Sequence, residues 1–247
     1  MSQTVANNLN SQTLLLTGAG GGIGRAIAVR LAKEGMNIIL FGGNNLARLN
    51  ETREAVEEFT SCLMLPGDLT NIEFMTSALE KAAAFRNGID VLINNAGTAA
   101  NTPFEKVTLE EYEKIMNINV KVPFLLTQKA LPFLKRSAAP AIINIASVTG
   151  HSGYPQQSIY SASKHALLGM TKSIAAEYYK DNIRVHAISP GGVYTDMVKV
   201  TRPDLTGEGM IMPEDIAEIA YFFLAHRGNA VIDEILVHRV GKEPFQV

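Results

Sequence analysis

The sequence predicts an α/β fold: a doubly wound parallel sheet of about seven strands with helices on both faces. Three observations predict it. From Thr13 onward, short aliphatic runs alternate with longer segments of helical periodicity. The runs are continuous rather than alternating apolar and polar, as in strands covered on both faces. A glycine-rich turn joins the first run to the first helical segment. Parallel strands need crossover connections, nearly always right-handed, so this alternation fixes a layered sheet whose ligands bind beyond the carboxyl ends of its strands.

The first strand is expected at Thr13–Thr17 and opens into Gly18-Ala19-Gly20-Gly21-Gly22-Ile23-Gly24. Ile23, Ile27 and Leu31 then share one helical face. Glycine lets backbone approach a ligand without Cβ interference, and the free N–H groups of a helix start favour phosphate. The order strand, glycines, helix therefore suits a pyrophosphate. The spacing through Gly18, Gly22 and Gly24 is G-x-x-x-G-x-G, neither G-x-G-x-x-G nor a P-loop, and a ligand-free tight turn is the alternative. Further strands are expected at Asn37–Phe41, Cys62–Leu65, Asp90–Ile93, Ala141–Ile145, Ile183–Ile188 and Ile232–Val237. Between them, Ile72, Met75, Leu79, Ala82 and Phe85 form a helical stripe, and Leu109–Leu134 and Ser158–Tyr179 read as long apolar helices.

The chain has 247 residues, 47% apolar and 19% charged, enough to bury a sizeable core and unlike a disordered chain. No linker, repeat or charge block interrupts it, so residues 1–247 read as one domain behind a polar extension at 1–10. With 22 basic and 24 acidic residues, the net charge of −2 offers no global attraction to nucleic acid or an anionic membrane. A single cysteine, Cys62, excludes an internal disulfide. The polar start and the lack of an 18-residue apolar run make the cytoplasm the default expectation. The five histidines show no H-E-x-x-H spacing and no paired cysteine ligands, so no metal is expected.

Candidate chemistry sits at Tyr160-Ser161-Ala162-Ser163-Lys164, where helical spacing puts Tyr160 and Lys164 side by side. An ammonium beside a phenol favours the phenolate, which makes a usable general acid/base. A five-residue match is common by chance, and two solvated helix residues are its plain alternative.

The combined residues resemble the short-chain dehydrogenase/reductase family over nearly the whole chain. The resemblance rests on Thr17 to Gly24, Asn94-Asn95-Ala96-Gly97, Asn119, Ser147, Tyr160 with Lys164, and Pro190-Gly191, in that order, with Ser147 thirteen residues before Tyr160. It implies a Rossmann-like sheet and an oxidoreductase moving hydride between NAD(H) or NADP(H) and a carbonyl or alcohol. Tyr160 would carry the proton, Lys164 would lower its pKa and bind ribose, Ser147 would hold the carbonyl oxygen, and Asn119 would order a proton-passing water. Cofactor contacts are implied for Thr17, Gly18, Gly20, Gly22, Ile23, Gly24, Asn44, Asp68, Leu69, Asn95, Ala96, Gly97, Pro190, Gly191, Val193 and Thr195. Asn94 and Gly97 would steady the loop on the adenosine side. Asp68 could equally be a helix N-cap, and Asn119 could simply bond buried backbone.

The rival class is a non-catalytic dinucleotide-binding sensor or scaffold, which the set of Tyr160, Lys164, Ser147 and Asn119 disfavours. Related proteins imply a homodimer or homotetramer. Residues 196–212 are expected to form a substrate lid in which Met197, Val198, Val200, Leu205, Met210, Ile211 and Met212 line a pocket or pack on the sheet. Lys199 and Arg202 could meet a substrate carboxylate or stay solvated. Where NAD users carry a ribose-binding carboxylate, the chain has Gly42-Gly43-Asn44-Asn45, and Gly21 stands where NADP users often carry a cation. Arg48 is the nearest cation and is read as a solvated helix face. The final strand lacks the Asp-Gly-Gly that often follows it in relatives.

Overall fold

The computed structural model describes residues 7–43, 45–86, 88–196, 198 and 206–243. Expectations placed on residues 1–6, Asn44, Met197, Lys199, Val200, Arg202 and Leu205 lie outside the described residues.

Seven strands form one sheet: β1 (Thr13–Thr17), β2 (Asn37–Phe41), β3 (Cys62–Leu65), β4 (Val91–Asn94), β5 (Ala141–Ile145), β6 (Arg184–Pro190) and β7 (Glu234–Val237). Their order is β3-β2-β1-β4-β5-β6-β7, and every neighbouring pair is parallel. The order reverses direction between β1 and β4, which opens a crevice at their carboxyl ends.

Residue parity along the strands decides which layer each side chain enters. Leu14, Leu16, Ile38, Leu40, Ile93 and Ile143 face α1 (Gly22–Ala32), α2 (Leu46–Glu57) and α7 (Pro213–Ala225). Leu15, Ile39, Leu92 and Ile142 face α3 (Ile72–Ala84), α5 (Val122–Leu134) and the end of α6 (Ser158–Tyr178). Both faces of the sheet are therefore covered, which is why the strands read as unbroken aliphatic runs.

Some boundaries depart from expectation for identifiable reasons. Asp90 precedes β4, and its carboxylate accepts from the Thr13 N–H at 2.7 Å and the Ser137 hydroxyl at 2.5 Å. The last strand starts at Glu234, and Ile232 and Asp233 lead into it. Phe85 closes α3 from outside as its C-cap, and Ile72 stays exposed at the helix start. The expected single helix over 109–134 is interrupted. α4 (Leu109–Met116) passes into a π-helical turn, Asn117–Lys121, before α5 begins. Such a turn inserts one residue, which rotates the side chains beyond it and here buries Asn119.

Candidate active site

The carboxyl ends of β1, β4, β5 and β6 open on a cleft of about 600 Å³. Its glycine wall is built by conformations that other residues resist. Gly18 and Gly22 have φ of 69° and 50°, and a Cβ at Gly18 would lie 2.8 Å from the Ala96 Cα. Gly21 leaves the start of α1 without a capping side chain, and no carboxylate stands in its first turn. The exposed N–H groups of this turn fit a phosphate.

Of the sixteen positions expected to meet a cofactor, Gly18, Gly20, Gly22, Ile23, Asn95, Ala96, Gly97, Pro190, Gly191, Val193 and Thr195 line the cleft. The other described positions lie outside its lining. The buried Thr17 hydroxyl accepts from the N–H groups of Asn95 and Ala96, both at 3.0 Å, and so pins the β4 loop to β1. Gly24 packs α1 on the turn: a Cβ there would stand 2.3 Å from the Gly18 carbonyl oxygen. Leu69 is buried against Gly42. Asp68 is exposed and accepts from the Thr70 N–H and hydroxyl, both at 2.8 Å, while Asn71 is the cap of α3. Asn94 turns into the core, where its amide donates to Asn144 and Thr127 rather than steadying the outer loop.

The chemistry-bearing side chains converge on the β5 side. Ser147 follows β5 and lines the same cleft wall as Tyr160, which α6 presents from its first turn. One turn on, the Lys164 ammonium stands 5.7 Å from the Tyr160 ring centroid and donates to the Ile145 carbonyl at 2.8 Å. Burial pushes the Tyr160 phenol above its ordinary value, and Ser147 offsets only part of that rise. The expected lowering by Lys164 therefore does not set the direction. Burial also pushes Lys164 down from 10.5 to about 8.

Asn119 bonds its side chain to the neighbouring loop and to α6. Its amide donates to the Thr98 carbonyl at 2.9 Å and the Ser163 hydroxyl at 3.0 Å, and its carbonyl accepts from the Thr98 N–H at 2.9 Å. Both N–H groups are thereby spent on the protein, so the side chain positions the loop carrying Gly97 and has no N–H left for a water. Ser163 in turn donates to the Tyr160 carbonyl at 2.7 Å, tying that loop to α6.

The sequence reading missed several cleft residues. Tyr154, Gln157 and Asn101 line it, and Gln157 donates to Asn101 at 2.9 Å. Arg48 is exposed on its helix, as expected, and has a second relation to the cleft. It lines the cleft beside Gly20 and Gly21, and its guanidinium pairs with Asp196 at 2.8 Å. His238, Arg239 and Lys242 also line the cleft, from the segment after β7. The sheet order could have found them, since whatever follows β7 leaves from the ligand-binding edge.

The Lys164 shift has a checkable consequence for stability. Its folded pKa lies below the unfolded one, so the charged form is disfavoured in the fold. The penalty, about 3 kcal/mol, is present in full below pH 8 and is relieved as pH rises through 10.5. Lys164→Met forfeits the bond to Ile145, worth about 1 kcal/mol, but removes that penalty. At pH 7 the variant is expected to melt above the parent, with the difference closing toward pH 10 in thermal scans.

A doubly wound sheet with a phosphate-ready glycine turn and a Ser, Tyr and Lys group at one cleft defines a dinucleotide-dependent oxidoreductase. Residues 12–206 match the family model described as short chain dehydrogenase. The chain belongs to the short-chain dehydrogenase family, and it is a nicotinamide-dependent oxidoreductase. It is 36% identical to General stress protein 39 of Bacillus subtilis over 203 residues, covering 81% of this chain and 70% of that one. It is 32% identical to the B. subtilis oxidoreductase YhxC, covering 96% and 86%. A Shigella flexneri protein assigned as a short chain dehydrogenase and complexed with NADP superposes with a TM-score of 0.86 at 28% identity, covering 95% of this chain and 99% of that one.

Proposed function

We propose that the protein interconverts a carbonyl compound and an alcohol, with Tyr160 as the general acid/base. The observation that carries this reading is the convergence of Ser147 and Tyr160 on the cleft wall, with the Lys164 ammonium one turn away. A nicotinamide, when bound, supplies or accepts the hydride. Ser147 holds the carbonyl oxygen and stabilises the negative charge that grows on it. Tyr160, kept protonated by burial, donates its hydroxyl proton to that oxygen in reduction and removes it in oxidation. Lys164 is held by the Ile145 carbonyl beside the ring and within reach of Gly97, where it would meet the ribose. Asn119 acts as a positioning residue for this loop.

The residues present fit the dinucleotide. The glycine turn and the bare start of α1 would hold the pyrophosphate, the Ala96 and Gly97 loop the adenosine side, and Pro190 to Thr195 the carboxamide. Residues 1–247 are read as one domain with 196–212 as the substrate lid. The ends of that segment meet where Val193 bridges Ile211 and the Tyr194 N–H donates to the Ile211 carbonyl at 2.8 Å. Val198 and Met210 line the cleft, whereas Ile211 packs in the core and Met212 caps α7. Leu109, Tyr112 and Phe124 are exposed on α4 and α5, which supports a homodimer or homotetramer through this face. Among the described residues no helix is long and apolar enough to cross a membrane, and the cytoplasm is the proposed compartment.

A panel of ketones and aldehydes assayed with NADH and NADPH tests the reading. Turnover of at least one carbonyl is expected, and tight cofactor binding without turnover across the panel would instead favour a sensor or scaffold. Asp196 already holds Arg48, and Asn45 is spent capping α2 through the Arg48 N–H at 3.1 Å. Neither a committed cation nor a carboxylate on the β2 loop selects the ribose. The two cofactors are therefore expected to differ in kcat/KM by less than roughly a hundredfold, or about 2.7 kcal/mol.

A further inference from the structure

The segment after β7 delivers basic side chains to the cleft that hydride and proton transfer leave unused. Val237 pairs with Pro190, and its carbonyl accepts from the Gly191 N–H at 2.8 Å, so His238 and Arg239 emerge on the wall that Pro190, Gly191 and Gly192 form. Arg239 lies against Gly192, with its Cδ 3.9 Å from where a Cβ would stand. A turn closed by the Lys242 N–H on the Arg239 carbonyl, at 2.9 Å, brings Lys242 to the same wall.

Among the described residues, Arg239 and Lys242 have no counter-ion in the cleft. Asp196 is the one carboxylate among the described lining residues, and it is paired with Arg48. The nearby Glu234 on β7 is taken by His151 at 2.7 Å and by the Ser189 hydroxyl. Arg239 is half-buried, and neither its side chain nor that of Lys242 bonds to a described residue. A partly desolvated guanidinium facing a cleft is best satisfied by an anion, which it can hold through two parallel N–H bonds.

The strand order sets this wall toward the Ser147 end of the cleft. β7 lies four strands from β1 and its glycine turn, about 19 Å at ordinary strand spacing. It lies only two strands from β5, about 10 Å from the strand end that carries Ser147. An arginine side chain spans more than half of that gap, which leaves room for roughly three to five bonds between the anion and the reacting carbon.

We propose that the substrate is an anionic ketone or hydroxy compound whose carboxylate or phosphate monoester is held by Arg239 with Lys242. This rests on the carbonyl and alcohol reading above. The probes are 4-oxopentanoate and 5-oxohexanoate against their methyl esters, and dihydroxyacetone phosphate against dihydroxyacetone, with saturating reduced cofactor. The anionic member of at least one pair is expected to exceed its neutral partner in kcat/KM by about tenfold or more, as a charge-assisted hydrogen bond allows. Which pair shows the preference distinguishes carboxylate from phosphate. R239Q is expected to erase most of that ratio, R239K to keep part of it, and K242Q to reduce it more weakly.

Equal or better turnover of the neutral members, or equal losses for both members in R239Q, would overturn the proposal. If Tyr160→Phe still abolishes turnover in that case, the carbonyl reading stands and only the anion site falls. If no probe is turned over by a chain that binds cofactor, both fall together.

Discussion

Tyr160→Phe is expected to lower kcat by about 10²–10⁴-fold in either direction, the range a positioned general acid or base supplies. The ring keeps its packing on α6 and only the hydroxyl leaves, so cofactor affinity should stay close to that of the parent. Lys164 and Ser147 lose a neighbour but keep their own bonds to Ile145 and Thr149. Steady-state rates with any carbonyl found active, together with fluorescence titration of NADPH, separate the two quantities. An unchanged kcat would remove Tyr160 from the chemistry.

The second large effect belongs to a residue that touches no ligand. In Gly24→Ala the new Cβ would sit 2.3 Å from the Gly18 carbonyl oxygen, 2.6 Å from the Asn95 amide nitrogen and 2.9 Å from the Ala19 Cα. Two of those three are backbone atoms, so the strain cannot be relieved by swinging a side chain aside. A cost of about 3 kcal/mol follows, at the upper end for overpacking. For a chain of this size that is a fall in melting temperature of about 6–12 °C. Because α1 must shift to make room, dinucleotide binding should weaken as well. A Gly24→Ala variant that melts with the parent and binds cofactor normally would show that α1 does not pack as closely as described.

How far the sequence could be read depended on whether each residue acts through its neighbours in the chain or across the fold. The strands were legible because burial on both faces writes a run of three aliphatic residues into each of β1, β2, β4 and β5. Ser147, Tyr160 and Lys164 were legible because one strand end and one helix turn fix their spacing. Thr17 and Gly24 were legible as members of a motif but not as to task. The letters alone do not separate a glycine that meets a phosphate from one that lets a helix pack. The π-helical turn was hidden for a related reason: Asn117-Ile118-Asn119-Val120-Lys121 holds no glycine or proline to break the helical reading, and one inserted residue leaves no composition mark. Arg239 escaped because a long side chain reaches far from its own backbone, and only the assembled sheet shows that it lines the cleft.

The bridge between Val193 and Ile211 bears on how such a protein can diversify. Both ends of the segment are anchored in the body of the sheet layer, Ile211 in the core with α7 and Val193 beside it. Insertions or deletions between them therefore leave the Ser147, Tyr160 and Lys164 geometry in place. Doubling a flexible connection costs only about 0.6 kcal/mol in closure entropy. On the proposal that residues 196–212 are the substrate lid, selection, or a laboratory library of loops of different lengths, can thus explore new substrates at this place while the Ser147, Tyr160 and Lys164 group stays built in.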